Sequence, residues 1–254
     1  MITAQDILDA MVPMRDAQQA SQLMRFFKTG EGEYGEGDRF LGLWVPQVRL
    51  IVKQARLDVP FQEIDKLLAS PWHEARLAAL LLLVEEMKAA LPARRGSEEK
   101  RVQKSLRREG IVRFYLDRAE RVNNWDLVDL TCPKILGEWL LHPKADGSMP
   151  DRDVLYRLVG SRNLWEQRIG IVSTWRLIRA GETEDALRLA EILLPHPHDL
   201  IHKATGWMLR EVGKKDMDAL EAFLEKHCTA MSRTTLRYAI EKMADPRRRS
   251  WLAR

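Results

Sequence analysis

The sequence contains little cysteine and no long apolar run. Its 254 residues include two cysteines, Cys132 and Cys228, and no CxxC pair. A disulfide framework and a four-cysteine zinc site are therefore excluded as organising features. The longest apolar run, residues 77–84, is too short to cross a bilayer. The N-terminus has no basic leader followed by an apolar stretch, so we expect no signal peptide and a cytoplasmic protein.

A strong excess of charge of one sign is also missing. The formal net charge is +4, which permits a nucleic-acid partner without requiring one. Hydrophobic residues make up 45% of the chain and charged residues 31%. This balance is typical of a soluble, globular protein with enough apolar surface for a core, and it excludes a disordered chain.

Alternating strand patterns are nearly absent, and helical spacing of apolar residues dominates. The glycine-rich segment 30–40 is acidic and lacks the lysine of a phosphate loop, so we interpret it as a loop between helices. Ser70 is predicted to cap a long helix that has Pro71 as its first residue. Gly181 and Gly213 stand where helix C-caps are expected.

A short repeat is visible in four predicted helices. Each carries a basic residue followed two positions later by a small or hydroxyl-bearing one, and the basic residues are Arg76, Arg168, Lys203 and Arg237. The last three are 35 and 34 positions apart, which is the period of a helical hairpin. The pattern predicts an all-α helical-repeat solenoid, an α-α superhelix, whose concave face collects the basic side chains.

Two further segments are rich in basic residues. The first, residues 94–108 (the basic segment), carries seven of them, but nearby glutamates offset the charge, so a solvated helix face is favoured and a DNA-flanking role stays open. The second is a basic tail at about residues 246–254. We expect one domain over residues 1–254.

Three histidines raise the possibility of a metal site. His198 and His202 are four residues apart, and His196 is close by. This spacing resembles a two-histidine metal face, but the glutamate of an HExxH motif is missing and Asp199 lies off the shared face. We therefore predict a solvated helix start and no metal.

The segment NNWDLVDL, residues 123–130, is the best candidate for chemistry. Asn124 is a good N-cap for a helix beginning at Trp125, and the helix dipole accounts for Asp126 in the first turn. Asp129 lies one turn deeper, where no capping role explains it, and shares a helix face with Trp125. A ring beside a carboxylate can hold a cationic ligand. The alternative, a half-buried ring beside a surface acid, is favoured by the spacing alone.

Several segments, taken in order, resemble one known family. They are residues 27–49, 73–87, 123–130, 163–172 and 201–213. Together they are similar to the DNA alkylation repair family of the AlkD type, which are HEAT-like-repeat DNA glycosylases. The resemblance implies a HEAT-like helical-repeat fold.

The resemblance also implies roles for individual residues. Trp125 and Asp129 match the family's active-site tryptophan and catalytic aspartate, Arg168 its active-site arginine and Trp207 its second active-site tryptophan. We expect Asp129 and Arg168 to pair from facing helices. Taken without the resemblance, Arg168 is an ordinary arginine that orders the repeat, and Trp207 is a core side chain.

The implied reaction is hydrolysis of the N-glycosidic bond of purines alkylated at N3 or N7 in double-stranded DNA. It requires no cofactor and fits a monomer, and AlkD-type enzymes act from the backbone side without a base-holding pocket. Arg168, and with less support Lys203 and Arg210, are expected to bind phosphates. Two alternatives stay open: a non-catalytic protein that binds damaged or branched DNA, and a protein-binding scaffold. Only DNA binding should weaken steeply with salt.

Overall fold

The computed structural model describes residues 1–92 and 97–254. Within these ranges the chain is built of helices and contains no β-strand, although Arg39 and Trp72 form an isolated bridge. The all-α, helical-repeat class is therefore confirmed. The chain divides into two compact units, Met1–Thr131 and Cys132–Arg254, which we call the N-terminal and C-terminal units. The expectation of one domain stays a prediction.

The N-terminal unit is organised around one long buried helix. Its helices are α1 (Ala4–Met11), α2 (Ala17–Phe26), α3 (Val45–Ala55), α4 (Phe61–Leu68), α5 (His73–Ala90), α6 (Glu98–Leu116) and α7 (Trp125–Cys132, whose last residue belongs to the C-terminal unit). Helix α5 packs against α3, α4 and α6, and its apolar run 77–84 is buried on all sides. A helix that is apolar all round is stable only in such an interior position.

Helix α5 begins later than the sequence predicted. Its first residue is His73 and its N-cap is Trp72, whereas Ser70 was expected to cap a helix starting at Pro71. Trp72 is extended and pairs with Arg39, and the backbone N–H of His73 donates to the Arg39 carbonyl at 2.8 Å. The Ser70 hydroxyl accepts from the Trp72 N–H at 3.2 Å. The predicted start was wrong because this long-range pairing keeps Trp72 out of the helix.

The loop before α3 is tied to the start of α5 by a buried carboxylate. Glu74 accepts hydrogen bonds from the backbone N–H groups of Leu41, Gly42 and Leu43 at 2.9, 2.8 and 3.1 Å. Gly42 has φ +91°, and a Cβ there would lie 2.0 Å from the Asp16 carbonyl oxygen. The close approach therefore requires glycine.

The C-terminal unit consists of helices packed against their neighbours in sequence. After a π-helical turn (Pro133–Gly137) come α8 (Asp153–Val159), α9 (Leu164–Ala180), α10 (Glu184–Leu193), α11 (Asp199–Lys215), α12 (Met217–His227), α13 (Arg233–Ala239) and α14 (Asp245–Leu252). Helix α11 packs against α9, α10, α12 and α13, so it lies at the centre of this unit. No helix of the described part of the chain is both long and apolar enough to cross a membrane.

Small residues let these helices approach closely, as the repeat pattern predicted for Gly170, two positions after Arg168; Gly206 lies one position beyond the residue that the pattern marks. A Cβ on Gly170 of α9 would lie 2.8 Å from a methyl carbon of Val159. A Cβ on Gly206 of α11 would lie 2.5 Å from the Cβ of Tyr238. Both gaps are below any normal carbon contact, so larger residues would push the neighbouring helices apart.

One of the two predicted glycine caps is wrong. Gly181 ends α9 with φ +95°, which confirms its role as a left-handed cap. Gly213 was expected to end α11, but the helix continues to Lys215. A Cβ on Gly213 would lie 2.4 Å from Leu220 Cδ2, so this glycine makes room for α12.

The described residues of the basic segment lie in or beside α6, and residues 94–96 lie outside the described residues. Arg107 forms an ion pair with Glu86 at 2.8 Å. Arg108 is buried and donates to the Ala90 carbonyl at 2.8 Å. These two cations therefore hold α6 against α5.

The basic tail forms helix α14. Trp251 is buried in the core of the C-terminal unit. Arg247 pairs with Glu221, and Arg254 pairs with Glu225 at 2.6 Å. The tail is therefore a packed element of the fold, in which Arg247, Arg248 and Arg254 have carboxylate partners.

The recurring basic residues differ in their exposure. Arg76 and Arg168 are buried, Lys203 is partly exposed and Arg237 is exposed. The repeat pattern predicted all four side chains on one surface. This prediction was wrong for Arg76 and Arg168, because their side chains are buried. Both carry guanidinium groups that donate to acceptors inside the protein.

Candidate active site

Helix α7 begins at Trp125, as the sequence predicted. The Asn124 side-chain oxygen accepts from the Trp125 N–H at 2.8 Å, and the Asn124 carbonyl accepts from the Val128 N–H at 3.1 Å. Asn124 is fully buried, with 0% of its surface exposed. The start of α7 is therefore fixed inside the N-terminal unit, and with it the direction of the side chains in the first two turns.

Trp125 is half-buried in a group of aromatic rings. It stacks on Phe27 with ring centroids 5.3 Å apart and planes inclined by 25°, and it meets Phe26 edge-on at 5.9 Å. Phe27 stacks in turn on Phe40 at 5.1 Å. Such contacts add to the apolar burial of the rings and hold the Trp125 indole in one orientation.

Trp125 and Asp129 line the same cavity, which we call the aromatic cavity. Its volume is about 350 Å³. Its lining residues come from α2, α3, α5, α7 and the loop before α3: Leu23, Phe26, Phe27, Phe40, Leu43, Trp44, Val45, His73, Glu74, Leu77, Trp125, Asp126, Asp129 and Leu130. Asp129 is half-buried there, one turn from the Trp125 ring. The arrangement places a carboxylate beside an aromatic face, which suits a cation.

A set of ionisable side chains, the buried network, lies behind this cavity. His73 Nδ1 is 2.8 Å from Asp38 Oδ2, and His73 Nε2 is 2.9 Å from Asp126 Oδ2. Arg76 donates to Asp38 Oδ1 at 2.6 Å. All four side chains are buried. Asp126 lies in the first turn of α7, as the sequence analysis stated, but the helix dipole is not its only partner, because Asp126 also links α7 to α5 through His73.

The network is ionic. Burial alone would lower the pKa of His73, but the charges and hydrogen bonds of Asp126 and Asp38 outweigh it and raise that pKa to about 9. Burial raises the pKa of Asp38, and its contacts with His73 and Arg76 outweigh this and lower it. At neutral pH the imidazolium of His73 therefore bridges two carboxylates.

The sequence analysis missed His73 and Asp38 as parts of the site. Both lie in segments that carry the family resemblance, 27–49 and 73–87. No local pattern marks them, because His73 is 35 residues from Asp38 and 53 from Asp126. The only signal was a histidine beside an acid at the start of an apolar helix, and that signal is weak.

In the C-terminal unit, Arg168 connects two helices. Helix α9 is capped by Asn163, whose side chain accepts from the Trp165 N–H at 2.8 Å. Arg168, one turn further, is 5% exposed and donates from Nη1 to the Leu200 carbonyl at 2.5 Å, in the first turn of α11. This hydrogen bond supports the interpretation of Arg168 as an arginine that orders the repeat. It does not depend on any further role of Arg168.

Helix α11 carries the other predicted residues of this unit. Lys203, Trp207 and Arg210 follow the spacing of one helix face, and Trp207 is half-buried. Lys203 pairs with Asp199 at 2.7 Å, and Arg210 pairs with Glu241. Both cations therefore have carboxylate partners within the protein, which a phosphate would have to replace or share.

The predicted site residues thus fall into two groups. Trp125 and Asp129 meet on one cavity wall of the N-terminal unit. Arg168 contacts the first turn of α11, the helix of the C-terminal unit that carries Trp207. The pairing of Asp129 with Arg168 stays a prediction.

The three histidines near residue 200 organise the start of α11. His198 is its N-cap, and His196 Nδ1 accepts from the His198 N–H at 3.0 Å. His202 Nε2 contacts the His196 carbonyl at 2.5 Å, and His196 Nε2 lies 2.9 Å from Gln167. Among the described residues, no group of three or more histidine, cysteine, aspartate or glutamate side chains is arranged to hold a metal ion.

Comparison with known proteins agrees with this architecture. The model of a family described as "DNA alkylation repair enzyme" matches residues 7–243, which is nearly the whole chain. The chain belongs to the DNA alkylation repair family. Membership of this family indicates a role in DNA repair, with DNA as the partner.

A solved structure shows the same fold. It is described as a predicted DNA alkylation repair enzyme from Enterococcus faecalis, and the two chains align with a TM-score of 0.65 at 18% sequence identity. The alignment covers 91% of this chain and 97% of the other. No curated protein matches the chain.

Proposed function

We propose that this member of the DNA alkylation repair family is a monofunctional DNA glycosylase. Its substrates are cationic purines alkylated at N3 or N7 in duplex DNA, and the bond hydrolysed is the N-glycosidic bond. The observation that carries the proposal is the position of Asp129 beside Trp125 on the wall of one cavity. A carboxylate next to an aromatic face is the arrangement that a positively charged sugar in the transition state requires.

The proposed reaction needs one carboxylate rather than the acid–base pair used for sugar hydrolysis. An alkylated purine already carries positive charge, so it departs with the electron pair of the glycosidic bond and becomes neutral without protonation. The C1′ atom develops oxocarbenium character, which the carboxylate of Asp129 stabilises electrostatically. A water oxygen then bonds to C1′, and its proton passes to Asp129 or solvent.

The remaining predicted residues would bind the substrate. Trp125 and Trp207 would present ring faces to the deoxyribose cation and the backbone. Arg168, Lys203 and Arg210 would contact phosphates and orient the duplex. Lys203 and Arg210 now pair with carboxylates, and they could exchange these partners for phosphates because exposed ion pairs contribute little free energy.

A single-turnover assay on a duplex with one 7-methylguanine tests the proposal. We expect excision by the wild-type protein and a rate lower by roughly 10²–10³-fold in Asp129→Asn, the range found for removal of one electrostatic contact to a transition state. Asp117→Asn is the matched control, because Asp117 is an exposed acid at the end of α6 in the same unit. Its rate should be that of the wild type.

Two outcomes would contradict the proposal. Excision that persists unchanged in Asp129→Asn would remove this residue from the mechanism. Salt-dependent duplex binding without excision by the wild type would identify a non-catalytic DNA-binding protein instead.

A further inference from the structure

Another cavity lies in the C-terminal unit, between the end of α11, helix α12 and the end of α13. Its volume is about 150 Å³, and we call it the cationic cavity. Its described lining consists of Arg210, Gly213, Lys214, Met217, Leu220, Ala239, Lys242 and Met243. Three of these residues are cations and none is an acid, while most of the others are apolar. The cavity therefore joins positive charge to an apolar surface, which suits an anion.

Lys214 continues the face of α11 that carries the predicted DNA-binding residues. It follows Arg210 by four residues, a spacing that places two side chains on one side of a helix. Lys242 comes from another segment, just after α13, and α13 packs against α11. The cationic cavity therefore extends the predicted phosphate-binding face to two lysines that the sequence analysis did not identify.

One carboxylate already bridges two of these cations. Glu241 accepts from Arg210 Nη1 through Oε2, and its Oε1 lies 3.1 Å from Lys242 Nζ. The hydrogen bond with Lys242 and the charge of Arg210 outweigh burial and lower the pKa of the Glu241 carboxyl, which is therefore anionic at neutral pH. Two cations thus lie within reach of the two oxygens of one anion. The two non-bridging oxygens of a phosphodiester can meet cations in the same way.

Glu241 can be replaced at low cost. Its side chain is 44% exposed and that of Lys242 is 60% exposed, and such pairs contribute little free energy because water screens them. Lys214 pairs with Glu211 at 2.5 Å, and Glu211 does not line the cavity. An anion in the cavity would therefore face three cations, whereas Glu241 contacts two of them.

We propose that the cationic cavity binds one phosphate of the DNA backbone, and that Glu241 holds two of its cations in the DNA-free protein. Arg210 and Lys242 contact the two non-bridging oxygens, and Lys214 provides a third positive charge. The adjoining deoxyribose packs on the apolar part of the lining. This assignment adds Lys214 and Lys242 to the DNA-binding residues. It rests on the DNA-binding part of the proposed function and does not depend on the chemistry at Asp129.

Fluorescence anisotropy with a labelled duplex that carries no lesion measures this contact without excision. In the full-length protein, Lys242→Ala should weaken affinity by about threefold or more and lower the slope of log affinity against log salt concentration by about 1. Lys242→Arg should restore both. Lys215→Ala is the matched control, because Lys215 is exposed at the end of α11 but does not line the cavity. Equal affinities and slopes in Lys242→Ala and Lys215→Ala would overturn the proposal.

A gain in affinity tests the role of Glu241. Glu241→Gln releases Arg210 and Lys242 for a phosphate, so affinity for the same duplex should rise by about threefold or more. Asp218→Asn removes an equal charge from an exposed position on α12 outside the cavity lining, and its effect should be smaller. A rise in Glu241→Gln no larger than that in Asp218→Asn would show that Glu241 does not compete with phosphate, and the proposal would be wrong.

Inorganic phosphate distinguishes a backbone site from a site for the free anion. Isothermal titration compares its binding to the wild type and to Lys242→Ala. Phosphate binding that depends on Lys242, together with a duplex slope that does not, would assign the cavity to free phosphate and overturn the DNA contact.

This proposal and the proposed function fail separately. If the wild type excises 7-methylguanine with dependence on Asp129 and Lys242→Ala binds the duplex normally, only the cavity proposal is wrong. If duplex binding depends on Lys242 and no alkylated duplex is cleaved, the cavity proposal stands and the glycosylase is wrong. A wild type that does not bind the duplex would overturn both.

Discussion

The two units of the chain use charged side chains differently. In the N-terminal unit, buried ions lie behind a largely apolar cavity, and Asp129 stands half-buried on its wall. In the C-terminal unit, the three predicted DNA-binding cations contact acceptors within the protein: Arg168 contacts the Leu200 carbonyl, Lys203 contacts Asp199 and Arg210 contacts Glu241. Under the proposed function, the first region would act on a cation, and the second would hold helices together and contact the DNA backbone.

The comparison also shows what burial does to an ion. His73 is held charged by two carboxylates in the interior, where removing one partner leaves the others uncompensated. Lys203 and Asp199 form a partly exposed pair that water screens. Substitutions should therefore have much larger effects in the buried network than on the exposed face of α11.

The largest effect is expected for His73→Ala. Loss of the imidazolium leaves Asp38 and Asp126 buried near each other, and we expect the free energy of unfolding to fall by about 3–5 kcal/mol. Urea denaturation followed by circular dichroism measures the change. His142→Ala is the control, since His142 lies 3.6 Å from Glu138 in a partly exposed pair and should cost about 1 kcal/mol or less. Equal losses in the two variants would refute the ionic role of the buried network.

The pH dependence of the free energy of unfolding should reflect the titration of His73. The pKa of His73 is raised from 6.5 to about 9 on folding, so its contribution is complete below pH 6.5 and is lost as pH rises through about 9. The contribution amounts to at most about 3 kcal/mol. Urea midpoints measured across this range should decline in the wild type and stay flatter in His73→Gln. Parallel curves would show that His73 is not the titrating group.

An intermediate effect is expected for Arg168→Ala. The Leu200 carbonyl loses the hydrogen bond from buried Arg168, so we expect a loss of about 1–2 kcal/mol in the free energy of unfolding. If Arg168 also contacts phosphate, as proposed, the affinity of the folded variant for duplex DNA falls several-fold in a fluorescence anisotropy titration. Arg176→Ala is the control from the same helix, because Arg176 pairs with Glu138. A destabilised Arg168→Ala variant with normal DNA affinity would restrict this residue to a structural role.

The smallest change in stability is expected for Lys203→Ala. Its pair with Asp199 is partly exposed, so the free energy of unfolding should change by less than about 0.5 kcal/mol. A phosphate contact would nevertheless appear as a decrease of about 1 in the slope of log affinity against log salt concentration. Lys226→Ala, which breaks the pair with Glu191, should leave that slope unchanged. The same slope in both variants would exclude Lys203 from the DNA-binding face.

Much of the fold was predictable because its signals are local. The start of α7 at Trp125 and the cap at Gly181 follow from residues within one helical turn. The predictions at Ser70 and Gly213 were wrong where distant residues intervened. Arg39 holds Trp72 in an extended conformation, and Leu220 packs where a side chain on Gly213 would lie.

The candidate site was predictable only in part. The spacing placed Asp129 and Trp125 on one helix face, the family resemblance assigned them to a site, and the two line one cavity. Asp126 was explained by the helix dipole alone, because nothing within the helix indicates that His73 lies 2.9 Å from it. An interaction between segments 53 residues apart leaves no periodic trace in the sequence.

By itself, the sequence determined the helical class, small residues where helices meet and the placement of Trp125 and Asp129 on one helix face. These depend on spacing along one chain segment, which hydrophobic periodicity and capping chemistry define. Only the tertiary structure decided that His73 is a buried cation, that Asp126 joins α7 to α5 and that Arg168 holds the first turn of α11. The physical reason is that burial and charge pairing depend on which distant segments exclude water from the same place, and folding alone brings those segments together.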